Sequence, residues 1–177
     1  MTTRLTWLHG GVPKDTPALN LTEWVVLALL AEEPRHGFAL ARLLQRGGEV
    51  GRVWAASRPL TYRAIDRLVA GGLVQPVRTE RGEGPPRTLH RATPAGRRAV
   101  GRWLATPVEH FRDVRAELLV KLLLLERSGR ATASLLAAQR ATFAGPLAVA
   151  RSSSGTDAVS RWRRSQADAV ERFLTSG

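Results

Sequence analysis

A chain of 177 residues holds one ordinary domain with an appendage, or two small domains sharing a core, and is too short for a large multidomain enzyme. Hydrophobic residues at 44% and charged residues at 24% place it among folded proteins rather than disordered or fibrous ones. A formal net charge of +12 favours a polyanionic partner, nucleic acid or an anionic membrane surface, while the absence of cysteine excludes disulfides, thiolate metal sites and cysteine nucleophiles.

Residues 1–19 mix Gly10, Gly11, Pro13 and Pro17 without periodicity and read as an N-terminal arm. From Leu21 the spacing of Leu21, Val25, Ala28 and Leu29 predicts a buried helix, capped by Asn20 or Thr22 and ending before Pro34. After a turn at Pro34 to Gly37, Phe38, Leu40, Ala41, Leu43 and Leu44 predict a short second helix that stops at Gly47-Gly48. Ser57 as cap and Pro59 in the first turn announce a third helix through Ala70, with Leu60, Ala64, Ile65, Leu68 and Val69 as its core face. Leu73 to Thr79 and Arg87 to Ala92 are two extended runs around a Gly/Pro-rich turn, and Pro76 confines the first to a sheet edge. Thr93-Pro94 opens a fourth helix closed by Pro107. Three further helices follow, over roughly Phe111 to Glu126, Thr132 to Ala150 with a break at Gly145-Pro146, and Thr156 to Leu174.

Helix, helix, helix, hairpin, helix is the outline of a winged helix-turn-helix. The fold class expected is therefore mainly α: a winged-helix domain over residues 20–106 and a C-terminal helical dimerisation region over residues 107–177. In such a domain the third helix enters the DNA major groove and the ribbon lies on the backbone or minor groove. The DNA-binding candidates are Arg58, Thr61, Tyr62, Arg63 and Arg67 on the helix, with Arg78, Arg81 and Arg87 on the wing. Tyr62 equally suits a core ring with its hydroxyl at the rim, and the wing arginines a solvated charged hairpin. The dimerisation candidates are Leu118, Leu122 and Leu125 on a helix with almost no polar face, and Val159, Trp162 and Phe173 at helical spacing near the C-terminus. Trp103 and Trp162 are candidates for an effector pocket for a flat aromatic ligand, although core packing suits any tryptophan.

No HExxH, GxSxG, P-loop or strand-following GxGxxG is present, and His9, His36, His90 and His110 fall on unrelated segments, so neither an enzyme nor a bound metal or other cofactor is expected. The apolar runs Trp24 to Ala31 and Leu118 to Leu125 are too short to span a bilayer, which leaves a cytoplasmic protein with double-stranded DNA and a second copy of itself as partners. The rival readings are a basic protein-interaction module docking an acidic partner and a sequence-independent DNA binder.

Leu27-Ala-Leu-Leu-Ala-Glu-Glu-Pro-Arg-His-Gly-Phe38, then Thr61-Tyr-Arg-Ala-Ile-Asp-Arg-Leu68, Gly72-Leu-Val74, Gly84-Pro-Pro-Arg87 and Thr93-Pro-Ala-Gly-Arg97 together resemble the PadR family of winged-helix regulators over about residues 21 to 105. The resemblance implies that the His36-Gly37-Phe38 turn opens the second helix, that the helix of Tyr62 reads DNA and that Gly84 to Arg87 form the wing. It further implies a homodimeric repressor of stress, detoxification or efflux genes, in some members released by planar aromatic ligands at the dimer. Thr61 stands where an aliphatic residue commonly precedes the tyrosine, a change that bears on helix packing or on base choice. His90 replaces a usual tyrosine, and Ala92 a usual leucine that joins wing to core.

Overall fold

A computed structural model describes residues 19–80, 87–152 and 154–176. The expected arm up to residue 18, Arg81 and the Gly84 to Pro86 turn lie outside the described residues. The chain order is α1 (Leu21–Glu32), β1 (Arg35–His36), α2 (Gly37–Leu44), α3 (Arg58–Ala70), β2 (Val74–Glu80), β3 (Arg87–Ala92) and α4 (Pro94–Ala105). Then come α5 (Phe111–Asp113), a π-helical turn (Val114–Leu118) and α6 (Leu119–Arg127) end to end, followed by α7 (Ala133–Ser152) and α8 (Ala158–Thr175).

α1 is buried nearly all round, with Val25, Val26, Leu27 and Leu29 fully inaccessible, which makes it the central rod of the winged helix. Asn20 caps it reciprocally: its side chain accepts from the Glu23 amide at 3.1 Å, and the Glu23 carboxylate accepts from the Asn20 amide at 2.9 Å. α3 buries Thr61, Ala64, Ile65 and Leu68, an i, i+3, i+4, i+7 stripe laid against α1. Leu60 and Val69, expected in that stripe, are instead exposed. The core face is thus narrower than the apolar pattern, with Thr61 near its middle and Leu60 and Val69 left at its margins. Thr61 can occupy it because its hydroxyl donates to the Ser57 carbonyl at 3.1 Å, so no buried polar group is stranded. Ser57 is the cap residue by backbone geometry but makes no side-chain capping bond. The helix is stopped by Gly71 and Gly72, the latter at φ +68°, where a side chain would be strained.

The sheet has three strands in the order β1-β3-β2 and is antiparallel throughout. The expected turn at Pro34 to Gly37 is corrected in part: Arg35 and His36 pair with His90 and Leu89 of β3. A strand of two residues is too short to carry a period-two signal, and its pairing is dictated by the open edge of β3. Pro76 lies on the edge strand, as its missing N–H requires, and the register slips between Pro76 and Arg78. Thr93 joins sheet to helix: its hydroxyl accepts from the Gly96 amide at 3.1 Å and donates to the Gly72 carbonyl at 2.9 Å. Gly96 sits so close to the Leu73 carbonyl that an added Cβ would lie 2.2 Å from its oxygen.

The C-terminal helices continue the same core. Gln139 of α7, fully buried, donates to the Val108 carbonyl and accepts from the Val108 amide, both at 2.8 Å, and so pins the segment leaving α4. Lys121 of α6 is buried among the winged helix and the C-terminal helices. Its ammonium lies 2.7 Å from Glu117, donates to the Thr106 carbonyl at 2.8 Å and sits 5.1 Å from the centroid of Trp103. α7 runs through Pro146 without the expected break, because Leu135, Leu136, Gln139, Phe143 and Leu147 form one buried stripe whose packing outweighs the lost backbone bond. No helix among the described residues is long and apolar enough to cross a membrane.

Candidate nucleic-acid interface

With Thr61, Ala64, Ile65 and Leu68 turned inward, α3 offers Arg58, Tyr62, Arg63, Asp66 and Arg67 to solvent. Clefts lie on both of its sides. On one side a cleft of about 490 Å³ is lined by Phe38 of α2, by Arg58, Tyr62 and Asp66 of α3, and by Arg87 and His90 of β3. There the Arg58 guanidinium carbon lies 5.6 Å from the ring centroid of Phe38 and 5.7 Å from that of Tyr62, and the Arg87 carbon lies 6.0 Å from Phe38. Gly37 permits this arrangement, since a Cβ there would stand 2.9 Å from the Tyr62 ring. A second cleft, of about 500 Å³, shares Phe38 and Arg58 with the first and adds Arg42 and Arg46 to its lining.

On the other flank Leu60, Arg63 and Arg67 face Thr22, Glu23 and Trp54 across a cleft of about 450 Å³. Arg67 is tethered there at 3.0 Å to Glu23, whose side chain is 1% exposed, whereas the Arg67 side chain is 67% exposed. One carboxylate thus caps α1 and orients a cation on α3. Trp54 is fixed beside it by its indole N–H, which donates to the Thr22 hydroxyl at 3.1 Å.

On the wing, Arg78 pairs with Glu80 at 2.7 Å, and Glu80 reaches His36 at 3.0 Å, so the outer strand is latched to β1. The Arg78 hydrogen bond, with the charge of His36, holds the Glu80 carboxyl below the usual carboxylate range. Burial pushes the His90 imidazole below its ordinary value, against the opposing pull of Asp66. The Nδ1 atoms of His36 and His90 have no hydrogen-bond partner among the described residues.

Arg58, Tyr62 and Arg87 share one cleft, Arg63 and Arg67 share the other, and Arg78 is joined to the first through Glu80 and His36. Thr61 is withdrawn from the surface set, being fully buried, so its departure from the aliphatic pattern concerns helix packing. Leu118, Leu122 and Leu125 are buried within the chain itself, whereas Val159, Trp162 and Phe173 are exposed along α8. Trp103 stacks in parallel on Trp24 at 5.3 Å and donates its indole N–H to Glu117 at 3.0 Å, while Trp162 is 67% exposed. Neither lines any of the three clefts around α3, and their settings differ as core differs from surface.

Phe38, one of the apolar residues that predict α2, is 44% exposed. Arg42 and Arg46 were passed over altogether. For Arg42 the signal was available: it stands four positions after Phe38 on α2, opposite the buried Leu40 and Leu44, whereas Arg46 lies past the end of the helix, where no periodicity applies. No group of three or more His, Asp or Glu among the described residues is placed to hold a metal ion.

Among curated proteins none matches the chain. Two solved structures resemble it along most of its length. One is Bacillus subtilis PadR in complex with operator DNA, with 16% identity, a TM-score of 0.48, and coverage of 89% of this chain and 97% of that one. The other is smu.1604c from Streptococcus mutans UA159, with 12% identity, a TM-score of 0.44, and coverage of 87% and 96%. The sequence profile of the transcriptional regulator PadR-like family matches residues 26–102, from within α1 to within α4, a span that includes all of α3 and the described wing strands. Residues 26–102 are thus similar to the PadR-like family of transcriptional regulators.

Proposed function

We propose that this protein is a sequence-specific binder of double-stranded DNA that acts in the cytoplasm as a homodimeric repressor on an inverted-repeat operator. The observation that carries the reading is the arginine-rich exposed side of α3, flanked on one edge by Arg42, Arg46 and Arg87 and on the other by the tethered Arg67. Guanidinium groups offer planar donor pairs to guanine edges and phosphates, and here they are supplied by a helix narrow enough for the major groove together with an adjacent ribbon. Arg63 carries no carboxylate partner among the described residues and is assigned to base contact. Arg67, oriented by Glu23, is assigned a neighbouring contact, and Arg78 and Arg87 the backbone beneath the wing.

The dimer is assigned to α8. Val159, Trp162 and Phe173 fall within about 60° of one another at 100° per residue, beside the stripe of Ala167, Val170 and Leu174 that the chain already buries. The apolar sector of this helix is therefore wider than the part covered from within. A two-fold pair would set its reading helices about 34 Å apart, one turn of duplex. Occupancy of such a site excludes other proteins from the promoter, which is repression in its simplest form.

Selection of bound duplexes from a random pool tests the reading. One enriched inverted repeat is expected, bound more tightly than scrambled DNA by roughly a thousandfold or more. Arg63→Ala should narrow that ratio by about tenfold, equivalent to ~1.4 kcal/mol, with an unchanged fold. Enrichment of no sequence, with affinity that collapses as salt rises, would leave a nonspecific binder instead.

A further inference from the structure

Phe38 stands at the surface among cations. It is a large apolar side chain, 44% exposed, on the second residue of a helix whose other apolar side chains are mostly covered. What lies against its ring is charge: Arg58 from the first turn of α3 at 5.6 Å and Arg87 from the start of β3 at 6.0 Å. Those two cations come from elements separated by the whole of β2, and Phe38 is the one ring they share.

Neither arginine has a carboxylate partner among the described residues, in contrast with Arg67 on Glu23 and Arg78 on Glu80. Asp66 lines the same cleft, but its charge acts on His90, and no ion pair joins it to either guanidinium. A ring face is not a hydrogen-bond partner for all five N–H donors of a guanidinium held over it, so donors are left to pair with the oxygens of a phosphate. Gly37 holds the Phe38 turn against Tyr62 so closely that no Cβ fits between them, which fixes the ring where both cations can reach it.

We infer that Phe38 is a positioning residue for DNA affinity: a platform that holds Arg58 and Arg87 on backbone phosphates at the edge of the groove read by α3. The inference rests on the proposed DNA-binding function and assigns the contact to the sequence-independent part of the interface. Phosphodiester oxygens are the ligand, and base identity is not read here. Loss of the platform should therefore lower affinity and its salt dependence together, while the preference for the operator stays constant.

Full-length protein, the selected duplex and a scrambled duplex of equal length, followed by fluorescence anisotropy over a range of NaCl concentrations, make the test. The logarithmic salt slope counts neutralised phosphates at about 0.9 per contact in duplex DNA. Phe38→Leu keeps apolar bulk but loses the aromatic face. It should reduce the slope by about one to two and weaken both duplexes by a similar factor, on the order of tenfold at moderate salt. Phe38→Tyr should restore slope and affinity, which a purely steric role would not require. Arg58→Gln with Arg87→Gln should reproduce the loss, and adding Phe38→Leu to that pair should change little more.

A wild-type slope in Phe38→Leu overturns the inference, as does weakening confined to the selected duplex or a tyrosine variant no better than leucine. Should circular dichroism find Phe38→Leu unfolded, the Arg58→Gln, Arg87→Gln pair decides alone, and an unchanged slope in it refutes the phosphate assignment. Wild-type protein that binds neither duplex brings down the proposed function itself, whereas wild-type binding with an indifferent Phe38 removes only this inference.

Discussion

Lys121 is a buried cation at the joint between the winged helix and the C-terminal helices, and its replacement separates two contributions that its geometry combines. Its side chain is 1% exposed, with its ammonium held by Glu117 at 2.7 Å and by the Thr106 carbonyl at 2.8 Å, against the Trp103 ring. Lys121→Ala deletes a fully buried aliphatic stem, for which large-to-small changes cost about 2–5 kcal/mol. It also strands the Thr106 carbonyl, which costs about 1–3 kcal/mol. The two overlap, so a net loss of about 3–5 kcal/mol is expected. Lys121→Met keeps the stem and removes the charge that burial penalises. Glu117 then retains the Trp103 indole N–H at 3.0 Å and, being one-third exposed, regains water. Loss of the Thr106 bond against relief of desolvation leaves Lys121→Met within about 1.5 kcal/mol of wild type.

The pH dependence has a definite sign. Burial lowers the Lys121 ammonium below its ordinary value of 10.5, against the raising effect of Glu117. A base lowered in the folded state leaves the unfolded chain binding more protons between the two values, so its penalty is full below the folded value. That penalty fades as pH rises toward the unfolded one. The stability of wild type relative to Lys121→Met should accordingly increase between neutral pH and about pH 10, as measured by urea unfolding followed through tryptophan fluorescence. A methionine variant as unstable as the alanine one at neutral pH, with a pH-independent gap, would refute the reasoning, because the charge and not the stem would then be the stabilising part.

Gln139→Leu keeps the volume of a fully buried side chain but strands the amide and carbonyl of Val108, and should lower stability by about 2–4 kcal/mol in the same assay. Gly96→Ala would drive a Cβ to 2.2 Å from the Leu73 carbonyl, a backbone atom that cannot rotate away; about 3 kcal/mol of destabilisation is expected, and a thermal midpoint equal to wild type would deny the close approach. Trp162→Ser with Phe173→Ser removes exposed apolar surface from α8 without touching its buried side, so light scattering at micromolar concentration should give a folded monomer where wild type gives a dimer. A dimer that persists in this variant moves the interface away from α8.

The element order was legible along the chain because each boundary has a local chemical cause. Asn20 and Thr93 cap by side-chain hydrogen bonds, Pro59 and Pro94 sit in first turns where a missing N–H is harmless, and Gly71-Gly72 ends α3. The arginines of α3 and the wing could likewise be named from position alone, since exposure on an amphipathic helix follows from its period. What escaped was whatever depends on partners distant in sequence. The two-residue β1 exists because β3 offers it an edge, and α7 stays continuous through Pro146 because a buried stripe holds both halves.

Thr61, Phe38 and Lys121 were each misjudged or passed over for one reason: residue type predicts burial only on average, and each found a particular neighbour that reversed the average. Thr61 goes inside because a carbonyl four residues back accepts its hydroxyl, and Lys121 because Glu117 and Thr106 meet its charge. Phe38 stays outside with two guanidiniums against its ring. Periodicity and capping are written in runs of a few residues and so settle where helices lie and which side of each is apolar. Which polar group is satisfied in the interior, and which cations share one ring at the surface, is decided only when remote segments are brought within a few ångströms.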